Sequence, residues 1–185
     1  MPQPTHSDWH IRPGQPADAG PLAALATQVF LHTYATQGVS AVIAAHVLSE
    51  FTVAKFQAVL ARETSTVLVA EQHAHLLGYA NIEFGVTCPA RSASTVELAT
   101  LYVQAHFVGQ GVGSALLARA QTLAWQRTQQ PLWLTVNAQN ARAIGYYAAR
   151  GFSKIGIAQF VLGDESHENH VLVDGRQPGT APEER

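Results

Sequence analysis

The sequence predicts one mixed α/β domain, and three features carry that prediction. Two β-rich runs, Thr66–Glu71 and Leu76–Phe84, are separated only by Gln72-His73-Ala74-His75, which reads as an antiparallel hairpin. A strand-like run at Thr95–Val103, a helical run at Gly111–Arg127 and a short apolar run at Leu132–Val136 follow one another, the pattern of a parallel β-α-β crossover. Ahead of both, Leu22, Leu25, Ala26, Val29 and Phe30 repeat at helical spacing.

The remaining elements fit the same plan. Trp9–Arg12 is a short first strand stopped by Pro13, and Pro16 with Asp18 opens the first helix. Helical stretches cover Ser40–Leu48 and Thr52–Arg62. In the crossover helix Val112, Leu116, Ala120 and Leu123 form the apolar side. Asn140–Arg150 is a helix closed by Gly151. Two last strands, Ile155–Leu162 and His170–Val173, are joined by the acidic turn Gly163-Asp164-Glu165-Ser166. Residues 1–174 are expected to form the domain, and 175–185, with two prolines and several charges, a disordered tail.

Composition narrows the function classes. With 47% hydrophobic and 13% charged residues, the chain belongs with globular enzymes and not with disordered segments. No run approaches the ~18 apolar residues of a membrane span, and the first residues lack the pattern of a secretory signal. Cys88 is the single cysteine, which rules out an internal disulfide and suits a reducing, cytoplasmic setting. Cys88 reads as a packed thiol more readily than as a nucleophile, because no histidine stands in a recognisable motif with it. The nine histidines show no metal-binding spacing, so no metal is expected. Charge is segregated: Leu98–Gly163 holds no acid but carries Arg119, Arg127, Arg142, Arg150 and Lys154. That segment suits an anionic ligand, although single arginines on helices are commonly just solvated. Neither a nucleic acid nor a membrane is expected as a partner.

The glycine loop lies inside that segment. Val108, Gly109, Gln110, Gly111, Val112, Gly113 and Ser114 connect a strand to a long helix. Such a loop turns several backbone N–H groups toward one point, and the helix N-terminus adds partial positive charge, so the site suits a pyrophosphate. Two familiar nucleotide motifs fail. A P-loop needs Lys-Ser/Thr after its last glycine, but Ser114-Ala115 follows. A dinucleotide fingerprint needs an acid about twenty residues on, and none occurs before Asp164. A tight turn that binds nothing remains the alternative.

Glu97–Val103, the loop 108–114 and Ala115-Leu116-Leu117 together resemble the acetyl-CoA-binding core of the GNAT superfamily of acetyltransferases. The second half is similar as well: Leu134-Thr135-Val136 is followed by Asn140, Ala143, Tyr147 and Gly151-Phe152 at the family's spacing. The resemblance covers about residues 95–153. Val108 stands where the family usually carries Arg or Gln, so a side-chain phosphate contact is lost while the backbone donors remain; Arg119 and Arg142 are candidates to compensate. Within the family the chain is similar to bacterial spermidine/spermine N-acetyltransferases, through Phe30, Thr33-Tyr34 and Gln159–Asp164.

The resemblance implies a cosubstrate, acetyl-CoA, and a small amine acceptor, with a polyamine the leading choice. It implies that the loop 108–114 holds the pyrophosphate and that Leu101, Tyr102 and Val103 pair with the pantetheine arm through the main chain. A backbone N–H near Leu101 would polarise the thioester carbonyl. Glu97, the last acid before the acid-free run, is the candidate general base for an amine of pKa near ~10; its alternative is a strand-end acid paired with an arginine. Tyr147 is the candidate acid for the leaving sulfur, against a role in packing shared with Tyr146. Asn140 opens its helix and reads as an N-cap, and the resemblance implies that it also contacts the cofactor arm. His32 and Tyr34 are candidate acceptor-pocket residues, and Asp164-Glu165 with Glu168 could attract a polycation. Gly145 inside its helix suggests a close approach of backbone or cofactor. Dimers are common in the family, so a homodimer stays open. Two rival functions also stand: a peptide or protein N-acetyltransferase, and a non-catalytic acyl-CoA-binding module.

Overall fold

The computed structural model of the chain describes residues 9–90, 92, 94–163 and 165–176. Its elements run β1 (His10–Pro13), a 3-10 turn (Pro16–Asp18), α1 (Ala19–Tyr34), α2 (Ala41–Glu50), α3 (Val53–Ala61), β2 (Ser65–Gln72) and β3 (His75–Phe84). They continue with β4 (Val96–Val103), a 3-10 turn (Ala105–Phe107), α4 (Val112–Thr128), β5 (Trp133–Asn137), α5 (Ala141–Ala148), β6 (Phe152–Leu162) and β7 (Glu165–Asp174). The strands form a mixed sheet in the order β1-β2-β3-β4-β5-β7-β6. β4 and β5 run parallel and are joined through α4, which is the expected crossover. Among the described residues no single helix is long and apolar enough to cross a membrane.

Local chemistry explains most boundaries. Ser40 Oγ accepts from the Ile43 N–H and Thr52 Oγ1 from the Lys55 N–H, both at 3.2 Å, so α2 and α3 begin on side-chain caps. The β2–β3 turn places His73 and Ala74 at φ 49° and 64°, the left-handed conformations that a tight hairpin connection demands. Pro13 does not stop β1 as expected; it is the strand's last residue, opposite Leu68. β1 is an edge strand, so a residue without an N–H is tolerated there.

The closing hairpin departs furthest from expectation. β7 begins at Glu165, not His170, and pairs with β6 from Leu162↔Glu165 to Phe152↔Asp174. Glu165, Ser166 and Glu168 are therefore strand residues and not a turn; pairing with β6 overrides their weak strand preference. Asp164 lies outside the described residues, as does the expected tail beyond Arg176. Gly145 also differs from expectation: a Cβ there would meet nothing within 4 Å, so no neighbouring group of the chain requires glycine.

The chain divides into two compact units, one running to Asn81 with Thr100–Ala118, the other made of Ile82–Ala99 and the residues from Arg119 on. In the first, α1 and α3 pack Leu22, Leu25, Ala26 and Phe56 onto Val67, Val69 and Tyr79. Arg12 ties its edge together, with Nη1 donating to Asp18 Oδ2 at 2.7 Å and Nε to Glu71 Oε2 at 2.7 Å. In the second, Cys88, Trp133 and Val171 form a core with Val86, Ile155 and Val173 around it. The thiol of Cys88 is buried, as its reading as a packed residue requires. Asp174, buried next to Val173 in the chain, accepts from Gln121 Nε2 at 2.7 Å and from the Arg176 N–H at 2.9 Å.

Candidate active site

In the first unit the glycine loop leads directly into α4. Gly109 and Gly111 sit at φ 85° and 86°, which side-chain-bearing residues rarely adopt. A Cβ at either would meet nothing within 4 Å, so both glycines are there for backbone direction and the space over them is open. Ala115 N–H donates to the Gly111 carbonyl at 3.0 Å, which makes Gly111 the residue at which the helix starts. The N–H groups of Val112, Gly113 and Ser114 therefore lie outside the helix's own ladder, at its positive end. That is the construction an anion site needs. Val108 is 42% exposed, and the Gln110 side chain is tied back to the His106 carbonyl at 2.7 Å. Neither offers the long side-chain donor that would normally accompany such a loop.

Leu101, Tyr102 and Val103 form the end of β4 and are half-buried. Gly78 on β3 lets them approach: a Cβ there would stand 2.6 Å from the Tyr102 carbonyl oxygen. The Tyr102 ring meets Tyr79 edge-on, with centroids 5.8 Å apart. Burial, with the Tyr34 phenol as a second influence, pushes the Tyr102 hydroxyl well above the usual range. Tyr34 also lines an open cleft of about 460 Å³ with Thr36, Gln37, Val39, Ser40 and Ile43. His32, two residues earlier on the same helix, is exposed and is not among the residues lining that cleft. A second groove of about 750 Å³, unforeseen from sequence, is lined by Gln28, His73, His75, Gln104 and Phe107 among others.

The second unit holds Glu97, Asn140 and Tyr147. Glu97 is on β4 in register with Trp133 of β5. Among the described residues that register is a single pair, and Ala99, two residues on, is exposed. Burial raises the Glu97 carboxyl to about 7, with the charge of Glu83 on β3 as the second cause. A carboxylate of that basicity is poised for proton transfer near neutral pH. Asn140 caps α5, its Oδ1 accepting from the Ala143 N–H at 3.0 Å. The expected capping role is thus observed. Tyr147 is buried, with its ring 5.4 Å from Phe152 and 5.2 Å from Tyr146. Tyr146 instead stacks under the Arg150 guanidinium at 3.6 Å. Arg119 and Arg142 are both exposed. No group of three or more metal-ligating side chains occurs among the described residues.

Known proteins share both the sequence pattern and the fold. The sequence profile of the acetyltransferase (GNAT) family matches residues 32–152. An uncharacterised N-acetyltransferase of Mycobacterium tuberculosis is 30% identical over 156 residues, which span 84% of this chain and 96% of that protein. Among solved structures, the PaiA N-acetyltransferase of Thermoplasma acidophilum in complex with coenzyme A is similar with a TM-score of 0.74 at 19% identity, over 91% of this chain and 99% of that one. YncA of Salmonella typhimurium, a putative acetyltransferase with its cofactor acetyl-CoA, gives a TM-score of 0.65 at 21% identity, over 97% and 100% of the two chains. At these identities the solved structures speak for the fold, and the sequence matches speak for the family.

Proposed function

The chain belongs to the acetyltransferase (GNAT) family, and from that premise we propose an acceptor class and a division of labour for its acetyl-CoA-dependent N-acetyl transfer. The observation that carries the reading is Glu97: a half-buried carboxyl raised to about 7 on the strand that leads to the glycine loop. The acceptor arrives as an ammonium. Glu97 takes a proton from it, directly or through water, and frees the nitrogen lone pair. The nitrogen attacks the thioester carbonyl carbon, the C–S bond breaks, and the nitrogen's remaining surplus proton passes through water to restore the Tyr147 hydroxyl as the amide forms, while Glu97 releases its proton to solvent. The departing thiolate takes a proton from the Tyr147 hydroxyl.

The other residues bind and orient. Backbone N–H groups along Val108, Gly109, Gln110, Gly111, Val112, Gly113 and Ser114 hold the pyrophosphate, supported by the two positive-φ glycines and the open space over them. Leu101, Tyr102 and Val103 offer main-chain hydrogen bonds to the pantetheine arm in the manner of an added strand. Asn140 contacts that arm while capping α5. Tyr34 contributes to the acceptor side through its cleft.

The acceptor we propose is a polyamine. The support is charge: Glu165 and Glu168 are exposed on the closing hairpin, and Glu83 and Glu97 add two half-buried carboxyls. The experiment is release of free thiol from acetyl-CoA against polyamines, aminoglycosides, amino acids and short peptides. Turnover with polyamines, reduced tenfold or more in Tyr147→Phe with acetyl-CoA affinity retained, is the expected result. Turnover with peptides alone would replace the acceptor class, and an unimpaired Tyr147→Phe would remove Tyr147 from the chemistry.

A further inference from the structure

After β7 the chain returns to the end of α5. Asp174, the last residue of β7, is buried and stands in register with Phe152, the first residue of β6. Both of its carboxylate oxygens are used: Oδ2 accepts from Gln121 Nε2 of α4 at 2.7 Å, and Oδ1 from the Arg176 N–H at 2.9 Å. The Asp174 N–H donates to the Leu132 carbonyl at 2.8 Å, and the Gly175 N–H to the Gly151 carbonyl at 3.0 Å. The backbone that carries Arg176 is therefore fixed on each of three successive residues. From there the Arg176 side chain lies across Gly151. A Cβ on Gly151 would stand 2.6 Å from Arg176 Nε and 2.9 Å from its Cγ, and Gly151 holds the left-handed φ of 87°. Arg176 Nη2 reaches on to the Ala149 carbonyl at 3.4 Å.

These contacts converge on the turn that follows Tyr147. The helix α5 has only eight residues, too few to hold its own shape without support from outside. Its last carbonyls need partners from beyond the helix, and a cation suits that end of the dipole. The Arg150 N–H serves the Tyr147 carbonyl at 2.9 Å, the Gly151 N–H serves the Ala148 carbonyl at 3.0 Å, and Arg176 serves the Ala149 carbonyl. The Tyr147 ring rests 5.4 Å from the ring of Phe152, the residue paired with Asp174. Asn140 caps the opposite end of the helix independently.

We propose that Arg176 is a positioning residue for acetyl transfer: anchored by Asp174 and laid across Gly151, it fixes the last turn of α5 and with it the Tyr147 hydroxyl. The proposal rests on Tyr147 being the acid for the leaving sulfur. Arg176 holds the helix and moves no proton itself. Its effect therefore falls on turnover and not on the affinity for acetyl-CoA, and it acts only while Tyr147 has a hydroxyl to place.

The test is a double-mutant cycle of wild type, Arg176→Ala, Tyr147→Phe and the double variant. It reads kcat and the KM for acetyl-CoA at a temperature well below every melting midpoint. Arg176→Ala should lower kcat by about threefold to tenfold, as a small misplacement of a reacting group does, with the KM for acetyl-CoA unchanged. The double variant should turn over at the rate of Tyr147→Phe alone, since the two residues act as one unit. NMR of the Tyr147 ring without acetyl-CoA should show its signals moved in Arg176→Ala, a readout that needs no turnover. Losses that multiply in the double variant, a wild-type kcat in Arg176→Ala, or unmoved ring signals would overturn the role of Arg176 while keeping Tyr147 as the acid. Wild-type turnover in Tyr147→Phe would overturn both.

Discussion

Gly78→Ala tests how closely the backbone of β4 must approach β3 for the cofactor strand to keep its shape. The added Cβ would lie 2.6 Å from the Tyr102 carbonyl oxygen and 3.1 Å from both Cα and Cγ2 of Val103. An ordinary carbon–oxygen approach between strands is about 3.3 Å, so the strands must part by about 0.7 Å. The obstructing atoms are mostly backbone, which cannot swing aside as a side-chain tip can. Overpacking of this kind costs about 1–3 kcal/mol, and the entropy gained by replacing glycine returns at most ~1 kcal/mol. A net loss of about 1–2 kcal/mol corresponds to a fall in Tm of about 2–8 °C for a chain of this size. Leu101–Val103 would also be displaced, so the KM for acetyl-CoA should rise. Differential scanning calorimetry and an acetyl-CoA titration read the two effects. An unchanged Tm with an unchanged KM would refute the close approach and the role given to the end of β4.

Two more perturbations separate electrostatics from packing. Glu97 is raised to about 7 in the folded chain, against about 4.3 when unfolded. The native state therefore holds a proton that the unfolded chain has lost between those values, and stability falls as pH rises through that window. Glu97→Gln should match the wild type below about pH 4 and exceed it above pH 7 by ~1 kcal/mol after allowance for solvent; a constant difference in Tm across pH would contradict this. Asp18 goes the other way: the Arg12 hydrogen bonds hold its carboxyl below the usual range. Its contribution is present above about pH 4 and is lost as pH falls through the depressed value. Arg12→Met should cost about 1–3 kcal/mol at pH 7, with the gap narrowing in acid, as urea melts at several pH values would show.

The hairpin, the crossover and the glycine loop were legible because each is written locally. His73-Ala74 interrupts two β-rich runs, and Gly109 and Gly111 announce a turn that only glycine takes easily. The caps of α2, α3 and α5 could be read from Ser40, Thr52 and Asn140 in the same way. The start of β7 was not legible, since Glu165, Ser166, Glu168 and Asn169 have little intrinsic strand preference and are held by the register with β6. Glu97 stood out as the last acid before a long acid-free segment, but its basicity depends on burial first and on Glu83, 14 positions earlier on another strand, second. His32 and Tyr34 were both expected at the acceptor pocket from their position in the chain, and Tyr34 lines a cleft. In the folded helix they are two positions apart and point to different sides.

The most direct test of the account is acetyl transfer itself, followed at pH 8 with acetyl-CoA and a polyamine, in the wild type and in Glu97→Gln. Free thiol and N-acetylated amine are measured in the same sample. The account predicts equal amounts of the two products from the wild type and a tenfold or greater loss of rate in Glu97→Gln. Acetyl-CoA bound without either product from any amine, or Glu97→Gln turning over at the wild-type rate, would contradict it.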